Sequence, residues 1–507
     1  MRDRGIGSWP ARRIRMTPDK VAFSDATGET TYAQFDERVT RLAHGLRALG
    51  IERGDRVAYV GPNATTFAEA LFATARLGAV YLPMNTRLSP PETAYILRDA
   101  EPKVFIWAPP HGELVDAPEI RELGIPLLAV TPRTADERSF ASVFATGEVE
   151  RIDEPVSLDD LMMIQYTSGT SGRPKGVMLT HGNVTWNTYN TLIDADLGSN
   201  EVALISAPLF HTAALDQQLM TIFVKGGTML LEPTWDPHRV LELIERHKIT
   251  MLFGVTTMYL SLLQAPAWES TDVSSLRTLI CGGAPVPEML LRDYAKRGLI
   301  IAQAYGMTES APGATYLRTD VALDKIGSAG TSCYWTDVRV VDSAFQDSPV
   351  GQAGEILIQG PNVTPGYWRN PTATQTTFVQ DGWLRSGDLA KKDDDGFLYI
   401  VDRLKDMIIS GGENVYPAEV EAAIYENDAV AECAVIGVPD PKWGELGRAV
   451  VVLKPGRTAT PESILAGLEG ILARYKIPRS AIIVEDLPHN ASGKLLRREV
   501  KQAHGQA

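Results

Sequence analysis

The 507-residue sequence is poor in cysteine and has no excess of basic side chains. Its three cysteines, Cys281, Cys333 and Cys433, are too few for a disulfide framework and too far apart for a CxxC motif, which predicts a reducing, cytoplasmic setting. No run of about 18 apolar residues occurs, so we expect no integral membrane association. The formal net charge of −14 argues against nucleic acid as a partner, because sequence-independent binding to a nucleic-acid backbone requires a basic surface.

The composition is that of a globular protein, with 44% hydrophobic and 22% charged residues. The length predicts roughly three domain-sized units, hence an interdomain cleft that can accept a small molecule. The first 15 residues are rich in arginine, but no apolar segment of the signal-peptide type follows them. We therefore interpret these arginines as a solvated tail: Arg2, Arg4, Arg12, Arg13 and Arg15.

Alternating strand and helix patterns predict an α/β fold for the first part of the chain. A strand, an amphipathic helix and a second strand follow one another over 57–85, and the pattern recurs over 228–255. The continuous apolar runs 276–281 and 299–304 are typical of parallel strands buried on both faces. Loops after such strands commonly bind ligands, so the segments that follow these two runs are candidate site loops.

The pattern changes to short alternating strands and tight turns after about residue 312, which predicts a β-rich subdomain. The polar segment 402–406 separates this part from a final unit with its own strand and a helix carrying apolar residues from Ile464 to Leu472. We predict an N-terminal domain over 1–401, a hinge over 402–406 and a C-terminal domain over 407–507.

The strongest motif is YTSGTSGRPKGV at 166–177. Hydroxyls, glycines and a lysine within so few residues let backbone N–H groups and side chains converge on a phosphate chain. It is not a Walker A loop, because Gly176 and not serine or threonine follows Lys175. A solvated linker is the alternative, which the apolar strand start after Gly176 disfavours. The candidate phosphate-binding residues are Thr167, Ser168, Gly169, Thr170, Ser171, Gly172 and Lys175.

With this motif, YGMTE at 305–309, SGD at 386–388 and LPHNASGK at 487–494 in order, the sequence resembles the adenylate-forming acyl-CoA synthetases and their relatives, the nonribosomal-peptide adenylation domains and firefly luciferases. The resemblance covers about 17–498. It implies a large N-terminal domain of two α/β subdomains plus a β-barrel-like subdomain, and a small mobile α+β C-terminal domain. It also implies ATP-dependent conversion of a carboxylic acid to an acyl-adenylate and pyrophosphate, followed by transfer of the acyl group to coenzyme A.

The resemblance implies a role for several charged and hydroxyl side chains. Lys494 would lie between the substrate carboxylate and the α-phosphate and stabilise the charge there. Thr308 would contact phosphate, while Glu309 and Thr170 would hold Mg²⁺, which offsets triphosphate charge. Within the last motif, His489 stands where an arginine is commoner in the family.

The nucleotide site is also assigned by resemblance. Tyr305 would stack on adenine beside Gly283, Ala284 and Gly306, and a core aromatic is its alternative. Asp388 would accept hydrogen bonds from the ribose hydroxyls, with Arg403 supporting the nucleotide. Lys405 aligns with the family's hinge residue, about which the C-terminal domain would rotate between the two half-reactions.

Residues for coenzyme A follow from weaker likenesses. Gly411 and Gly412 would lie beside the pantetheine arm, Trp443 on the same face, and Arg87 near the nucleotide phosphates. Each has a structural alternative: a turn, a core anchor and a surface charge, respectively. Transfer to a carrier protein or an amine in trans, or a non-catalytic sensor on the same scaffold, remain the other functions; the assembly is expected to be a monomer or a homodimer.

The nature of the acid is left broad. His211 would gate the carboxylate site, with a packed core histidine as an equal alternative. Relatives that activate amino acids usually place an aspartate where Thr212 stands, so an α-amino acid is disfavoured. Small residues expected near the acyl group suggest a sizeable apolar acid, whether fatty, aryl or polycyclic: Ala213, Ala214, Gly254, Ala311 and Gly313.

Overall fold

The fold is described by a computed structural model covering residues 2–144, 148–167, 174–283, 286–404, 406–410, 413–440, 443–469, 471–472, 474–489 and 495–506. The strands as far as the last one of the α/β part are β1 (Val21–Asp25), β2 (Gly28–Thr31), β3 (Arg56–Val60), β4 (Val80–Pro83), β5 (Val104–Trp107), β6 (Leu127–Ala129), β7 (Leu161–Thr167), β8 (Lys175–Thr180), β9 (Val202–Ile205), β10 (Thr228–Leu231), β11 (Met251–Gly254), β12 (Thr278–Gly282), β13 (Ile301–Gly306), β14 (Gly313–Leu317) and β15 (Thr331–Ser332). The later strands are β16 (Asp337–Val341), β17 (Gly354–Gln359), β18 (Gly366–Tyr367), β19 (Leu384–Lys392), β20 (Leu398–Arg403), β21 (Ile408–Ser410), β22 (Glu413–Val415), β23 (Val430–Asp440), β24 (Gly444–Leu453) and β25 (Ser480–Val484).

The α-helices are α1 (Trp9–Arg13), α2 (Tyr32–Ala48), α3 (Thr65–Arg76), α4 (Pro90–Ala100), α5 (Gly112–Asp116), α6 (Pro118–Arg121), α7 (Phe140–Phe144), α8 (His181–Asp194), α9 (Met220–Lys225), α10 (Pro237–His247), α11 (Thr256–Gln264), α12 (Glu288–Ala295), α13 (Pro371–Thr377), α14 (Pro417–Tyr425), α15 (Pro461–Ala466) and α16 (Arg497–His504). A π-helix spans Ala213–Leu219, and short 3₁₀ turns span Ile6–Ser8, Thr308–Ser310 and Gln380–Gly382. Among the described residues, no helix combines the length and apolar character needed to cross a bilayer.

Two large sheets form the α/β part of the chain. The first sheet has the order β18-β8-β7-β4-β3-β5-β6, and the second has the order β15-β14-β13-β12-β11-β9-β10-β1-β2. Parallel pairing dominates the middle of each sheet. Antiparallel pairs occur at both edges of the second sheet and at the β18 edge of the first, whose other edge strand, β6, is parallel to β5. β11 and β12 are buried along their whole length, as their continuous apolar sequences predict. The α/β fold predicted from the sequence is confirmed.

The third sheet, β16-β17-β19-β20, is antiparallel throughout and is the β-rich subdomain expected after residue 312. The fourth sheet, β22-β21-β24-β23 with β25 beside β24, belongs to the final unit and packs against α14 and α16. Each sheet has its own cluster of buried apolar side chains. A large N-terminal part and a small α+β C-terminal part therefore follow one another along the chain.

The junction between these parts differs from the polar loop that the sequence predicts. β20 runs on through Arg403, so Asp402 and Arg403 are sheet residues paired with Leu389 and Asp388 of β19. The Asp402 carboxylate is buried and accepts a 2.9 Å hydrogen bond from the backbone N–H of Ala418, at the start of α14. Burial raises the pKa of Asp402 to about 6. One side chain of the third sheet thus binds the first turn of a C-terminal helix.

Two further expectations are wrong. The N-terminal arginines are not on a tail, because residues 6–13 are helical and packed, and Arg13 is buried and donates to the Val224 carbonyl. The other four are exposed, as predicted: Arg2, Arg4, Arg12 and Arg15. Arg2 donates its backbone N–H to Asp153, which secures the start of the chain. The apolar pattern from Ile464 to Leu472 does not form one helix, since α15 ends at Ala466.

Candidate active site

The described ends of the phosphate motif lie on two paired strands of the first sheet. Thr167, the last residue of β7, pairs with Lys175, the first residue of β8. The Lys175 ammonium lies 5.2 Å from the centre of the Tyr367 ring. The Tyr367 hydroxyl in turn donates a 2.8 Å hydrogen bond to Glu309. The lysine of the phosphate motif and the acid of YGMTE, far apart in sequence, are therefore joined through one aromatic ring.

Glu309 is a buried carboxylate whose ionised form is disfavoured by its burial. Its 3₁₀ turn, Thr308–Ser310, follows β13, and its backbone carbonyl accepts a bond from the Thr364 N–H at 2.8 Å. Only 7% of Glu309 is exposed, and this burial raises its pKa, against the opposing effects of the Tyr367 hydrogen bond and the nearby Lys175. A carboxylate held in this way attracts a cation, and an oxygen ligand suits a hard ion such as Mg²⁺. Thr308 lies beside it and is half-buried.

A second polar cluster joins β13 to the third sheet. The Tyr305 hydroxyl donates a 2.8 Å hydrogen bond to Asp388, and Arg403 lies 3.5 Å from the other oxygen of that carboxylate. Asp388 and Arg403 are neighbours because they are cross-strand partners in β19 and β20. Burial raises the pKa of Tyr305 well above its ordinary value, so its hydroxyl remains a donor. Its ring also packs against the apolar cluster of the third sheet, so both interpretations of Tyr305 hold in part.

The loop after β13 depends on close backbone contacts. Gly306 cannot be replaced without distortion, because a Cβ there would lie 1.6 Å from the Pro312 carbonyl oxygen. The amide of Asn362, which is fully buried, donates 2.7 Å hydrogen bonds to the carbonyls of Ser310 and Gly313. The loop that carries Thr308 and Glu309 is thus held by side chains outside the recognised motifs.

Three asparagines on one face of α8 complete this support, and sequence reasoning missed them. Asn183 donates to two carbonyls within 361–363, and Asn187 accepts the Gly313 N–H at 3.0 Å. Asn190 accepts the N–H of Trp335. The sequence did carry a signal for them, because asparagines at i, i+4 and i+7 share one face of a helix. Three amides on a buried face are unusual unless they form hydrogen bonds.

The acyl side of the site begins at His211. The residue is half-buried, its ring lies 4.6 Å from that of Phe210, and the π-helix Ala213–Leu219 starts two residues later. Single-turn π-helices are rare and often occur at functional sites. The gating role of His211 stays a prediction.

Asp216 lies inside this π-helix and was not anticipated. It has no exposed surface, and both of its carboxylate oxygens are buried without accepting a hydrogen bond from any described residue. Burial raises its pKa well above the ordinary value of 3.8. A carboxyl group in this setting is held in its neutral form.

Asp216→Asn is therefore expected to change the free energy of unfolding, relative to wild type, by an amount that becomes more favourable to the variant as the pH rises. Above pH 3.8 the unfolded chain releases this proton while the folded protein retains it, so folding loses up to about 1.4 kcal/mol per pH unit until the raised pKa is reached. Asp216→Asn abolishes this loss. Urea unfolding at pH 5 and pH 8 measures it, with exposed Asp19→Asn as control. A stability difference between Asp216→Asn and wild type that does not change with pH contradicts the assignment.

The predicted acceptor side contains a cavity of about 240 Å³. Arg87 lines it together with Ser206, Phe210, Trp235 and Val255. Ser206 is buried, and its hydroxyl has no hydrogen-bond partner among the described residues, so it offers an unused polar group beside the cavity. A cavity lined by a guanidinium and by apolar side chains suits a ligand with an anionic group and an apolar part.

The remaining predicted residues divide into two groups. Trp443 is 47% exposed, so it is not a core anchor, and its backbone N–H donates to the Asp440 carboxylate. Gly283 follows β12 with a φ of +85°, a backbone conformation that favours glycine. The others lie outside the described residues: Ser168, Gly169, Thr170, Ser171, Gly172, Ala284, Lys405, Gly411, Gly412 and Lys494.

Comparison with known proteins agrees with this arrangement. The family model of the AMP-binding enzymes matches residues 10–368, and that of the AMP-binding enzyme C-terminal domain matches residues 419–494. A feruloyl-CoA synthase from an Amycolatopsis species is 48% identical over 505 residues, covering all of both chains. A long-chain-fatty-acid–CoA ligase, FadD13 of Mycobacterium tuberculosis, is 37% identical, with 99% of each chain covered.

The fold agrees as well. The crystal structure of ATP-bound MatB from Rhodopseudomonas palustris superposes with a TM-score of 0.90 at 34% identity, covering 98% of this chain and 99% of that one. The predicted enzyme class and its transfer of the acyl group to coenzyme A are therefore confirmed. The chain belongs to the AMP-binding enzyme family and is an AMP-forming acyl-CoA synthetase, which uses ATP to activate a carboxylic acid and transfers the acyl group to coenzyme A.

Proposed function

We propose that the acid is an arylpropenoic acid of the ferulic type. The observation that carries the proposal is the 48% identity to a feruloyl-CoA synthase over the complete length of both chains, against 37% for the fatty-acid ligase. Polar groups around the expected acyl side support an oxygenated ring over an alkyl chain. The Asn187 amide nitrogen is buried beside Gly313 without a hydrogen-bond partner among the described residues, and an alkyl chain would leave it so.

We infer the roles of the nucleotide residues from the two clusters. The Asp388 carboxylate is suited to accept hydrogen bonds from two adjacent ribose hydroxyls, since it lies between the Tyr305 hydroxyl and Arg403. The Tyr305 ring would leave the carboxylate and stack on the adenine. Lys175 and Thr308 bind phosphate oxygens, and Lys494 neutralises the charge that accumulates between the two reacting anions. The hinge at Lys405 between 1–401 and 407–507 remains part of this proposal.

The residues around Glu309 are suited to hold Mg²⁺. The carboxylate is buried, its donor atoms are oxygens, and it lies near the lysine of the phosphate motif, so a hard cation held by it would offset a costly buried charge. Bound there with Thr170, the ion would supply charge neutralisation for the triphosphate. The role of Tyr367 is to hold the carboxylate in position by its hydroxyl.

We assign the cavity beside Arg87 to coenzyme A. In this proposal the Arg87 guanidinium binds the nucleotide phosphates, and the Ser206 hydroxyl bonds a polar group of the pantetheine arm. Gly411, Gly412 and Trp443 stay predicted contacts of coenzyme A. A carrier protein or amine as acceptor stays a prediction that no contact of the described residues favours. Three buried free cysteines accord with a cytoplasmic location.

The proposal is tested with a panel of acids. Ferulate, 4-hydroxycinnamate, cinnamate, indole-3-acetate and palmitate are each supplied with ATP and Mg²⁺, and pyrophosphate release and thioester formation are measured with and without coenzyme A. We expect kcat/KM for ferulate to exceed that for palmitate by at least about tenfold, since a site that bonds polar groups rejects analogues lacking them. A palmitate value equal to or above that of ferulate would contradict the proposed acid while leaving the enzyme class intact.

A further inference from the structure

Three metal-ligating side chains meet on the C-terminal unit, away from the site described above. Glu432 lies on β23, Asp486 follows β25, and His489 comes three residues later. One donor atom of each lies within 4.8 Å of the other two. β24 lies between β23 and β25, with Val452 paired to Glu432 on one side and to Val484 on the other, and the segment that follows β25 brings Asp486 and His489 to Glu432.

The spacing within the cluster is that of ligands around one ion. The His489 Nε2 and the Glu432 Oε2 are 3.4 Å apart. Two ligands at the Zn–N and Zn–O bond lengths of about 2.0–2.1 Å in a tetrahedral site are separated by about 3.4 Å. The same Glu432 oxygen is buried and accepts no hydrogen bond within the described part of the chain. The two groups are at ion-pair distance, and a buried carboxylate oxygen that accepts no hydrogen bond beside an imidazole nitrogen is a position that a metal ion would complete.

The donor set selects the kind of ion. One imidazole and two carboxylates suit borderline divalent ions such as Zn²⁺ and Co²⁺, whereas Mg²⁺ prefers oxygen ligands alone. Asp486 is exposed and His489 half-buried, so water has access to the remaining coordination positions. The arginine that is commoner at position 489 in the family could not ligate a metal, so the cluster depends on this chain's own histidine.

We propose that Glu432, Asp486 and His489 form a binding site for a divalent transition-metal ion, distinct from the Mg²⁺ that accompanies ATP. His489 precedes Lys494 by five residues in the chain. His489 forms an antiparallel bridge with Leu495, and the Leu496 N–H donates to the Pro488 carbonyl at 2.8 Å, so the start of α16 is held beside the cluster. An ion bound there ties β23 to His489.

The experiment is a Co²⁺ titration of the full-length, chelator-treated protein in excess Mg²⁺. The wild type is expected to bind one Co²⁺ per chain with the visible absorption of tetrahedral coordination, which Zn²⁺ then displaces, and to unfold at a higher temperature with Zn²⁺ present. His489→Ala and Asp486→Asn should each lose the absorption and the thermal shift.

His44→Ala is the matched control. His44 forms a surface pair with Glu148 at 2.8 Å but has no third ligand within the described residues, so its removal should leave both signals unchanged. Absence of a Co²⁺ signal in the wild type overturns the proposal, as does an unchanged signal in both His489→Ala and Asp486→Asn. The latter replaces an exposed side chain and is expected to fold, which keeps the test valid if the histidine variant is unstable.

Discussion

Replacing Lys494 with alanine is expected to lower carboxylate-dependent ATP–pyrophosphate exchange by at least about 100-fold. Adenylation brings a carboxylate against the α-phosphate, and a cation between these two anions stabilises the transition state more than either bound reactant. The −14 net charge of the chain makes a local cation more necessary, since the surrounding protein supplies no general positive field. Exchange of labelled pyrophosphate into ATP in the presence of ferulate measures this step alone.

The second half-reaction provides the control. Thioester formation from a supplied acyl-adenylate and coenzyme A needs no charge between a carboxylate and ATP, so Lys494→Ala should retain it within about threefold of wild type. Lys501→Ala, which removes the same charge from α16 on the same unit, should leave both steps unchanged. Full pyrophosphate exchange in Lys494→Ala would exclude the lysine from adenylation.

Glu309→Gln is expected to reduce adenylation by about 100-fold or more while leaving the protein at least as stable as wild type. Glutamine keeps the shape and can still accept the Tyr367 hydroxyl, but it removes the charge that attracts the cation. Because burial raises the pKa of Glu309, its ionised form destabilises the fold, and the neutral amide avoids that cost. Initial rates against Mg²⁺ concentration and the thermal unfolding midpoint are the two measurements.

Loss of activity with unchanged or increased stability distinguishes a functional carboxylate from a structural one. Tyr367→Phe serves as the companion variant, since it keeps the Glu309 charge and removes only the hydroxyl that positions it. Its loss should be smaller, about tenfold, and should appear mainly in the Mg²⁺ concentration needed for half-maximal rate. A Glu309→Gln protein that is less stable than wild type and fully active at its folded fraction would assign the residue to the fold.

Much of the fold followed from local pattern. β10, α10 and β11 lie within the predicted strand–helix–strand unit 228–255, and β12 and β13 overlap the two predicted apolar runs, because strands buried in the middle of a parallel sheet are largely apolar. The helix over the Ile464 to Leu472 pattern failed for the opposite reason. Its last turns are replaced by a turn after Ala466, where tertiary packing overrides a helical spacing that is short and carries Gly467.

The site was foreseen as separate motifs and not as a network. Nothing in the sequence near Lys175 or Glu309 indicates that Tyr367 connects them, since the contact joins the first sheet, the loop after β13 and β18. The neutral state of Asp216 was equally hidden, because an aspartate in sequence carries no mark of its burial. The N-terminal arginines misled in the same way: they resemble a solvated tail until the chain around them is seen to be packed.

The hydrogen bond from the Ala418 N–H to Asp402 has a consequence for the timing of the reaction cycle. Its acceptor lies before Lys405 and its donor after it, so rotation about the proposed hinge must break it. A net hydrogen bond of about 1 kcal/mol corresponds to roughly a fivefold preference for the orientation described here. Without a ligand that binds one orientation more tightly, the enzyme would therefore spend most of its time in the orientation described here. A ligand that binds only the rotated orientation would show a slightly weakened apparent affinity.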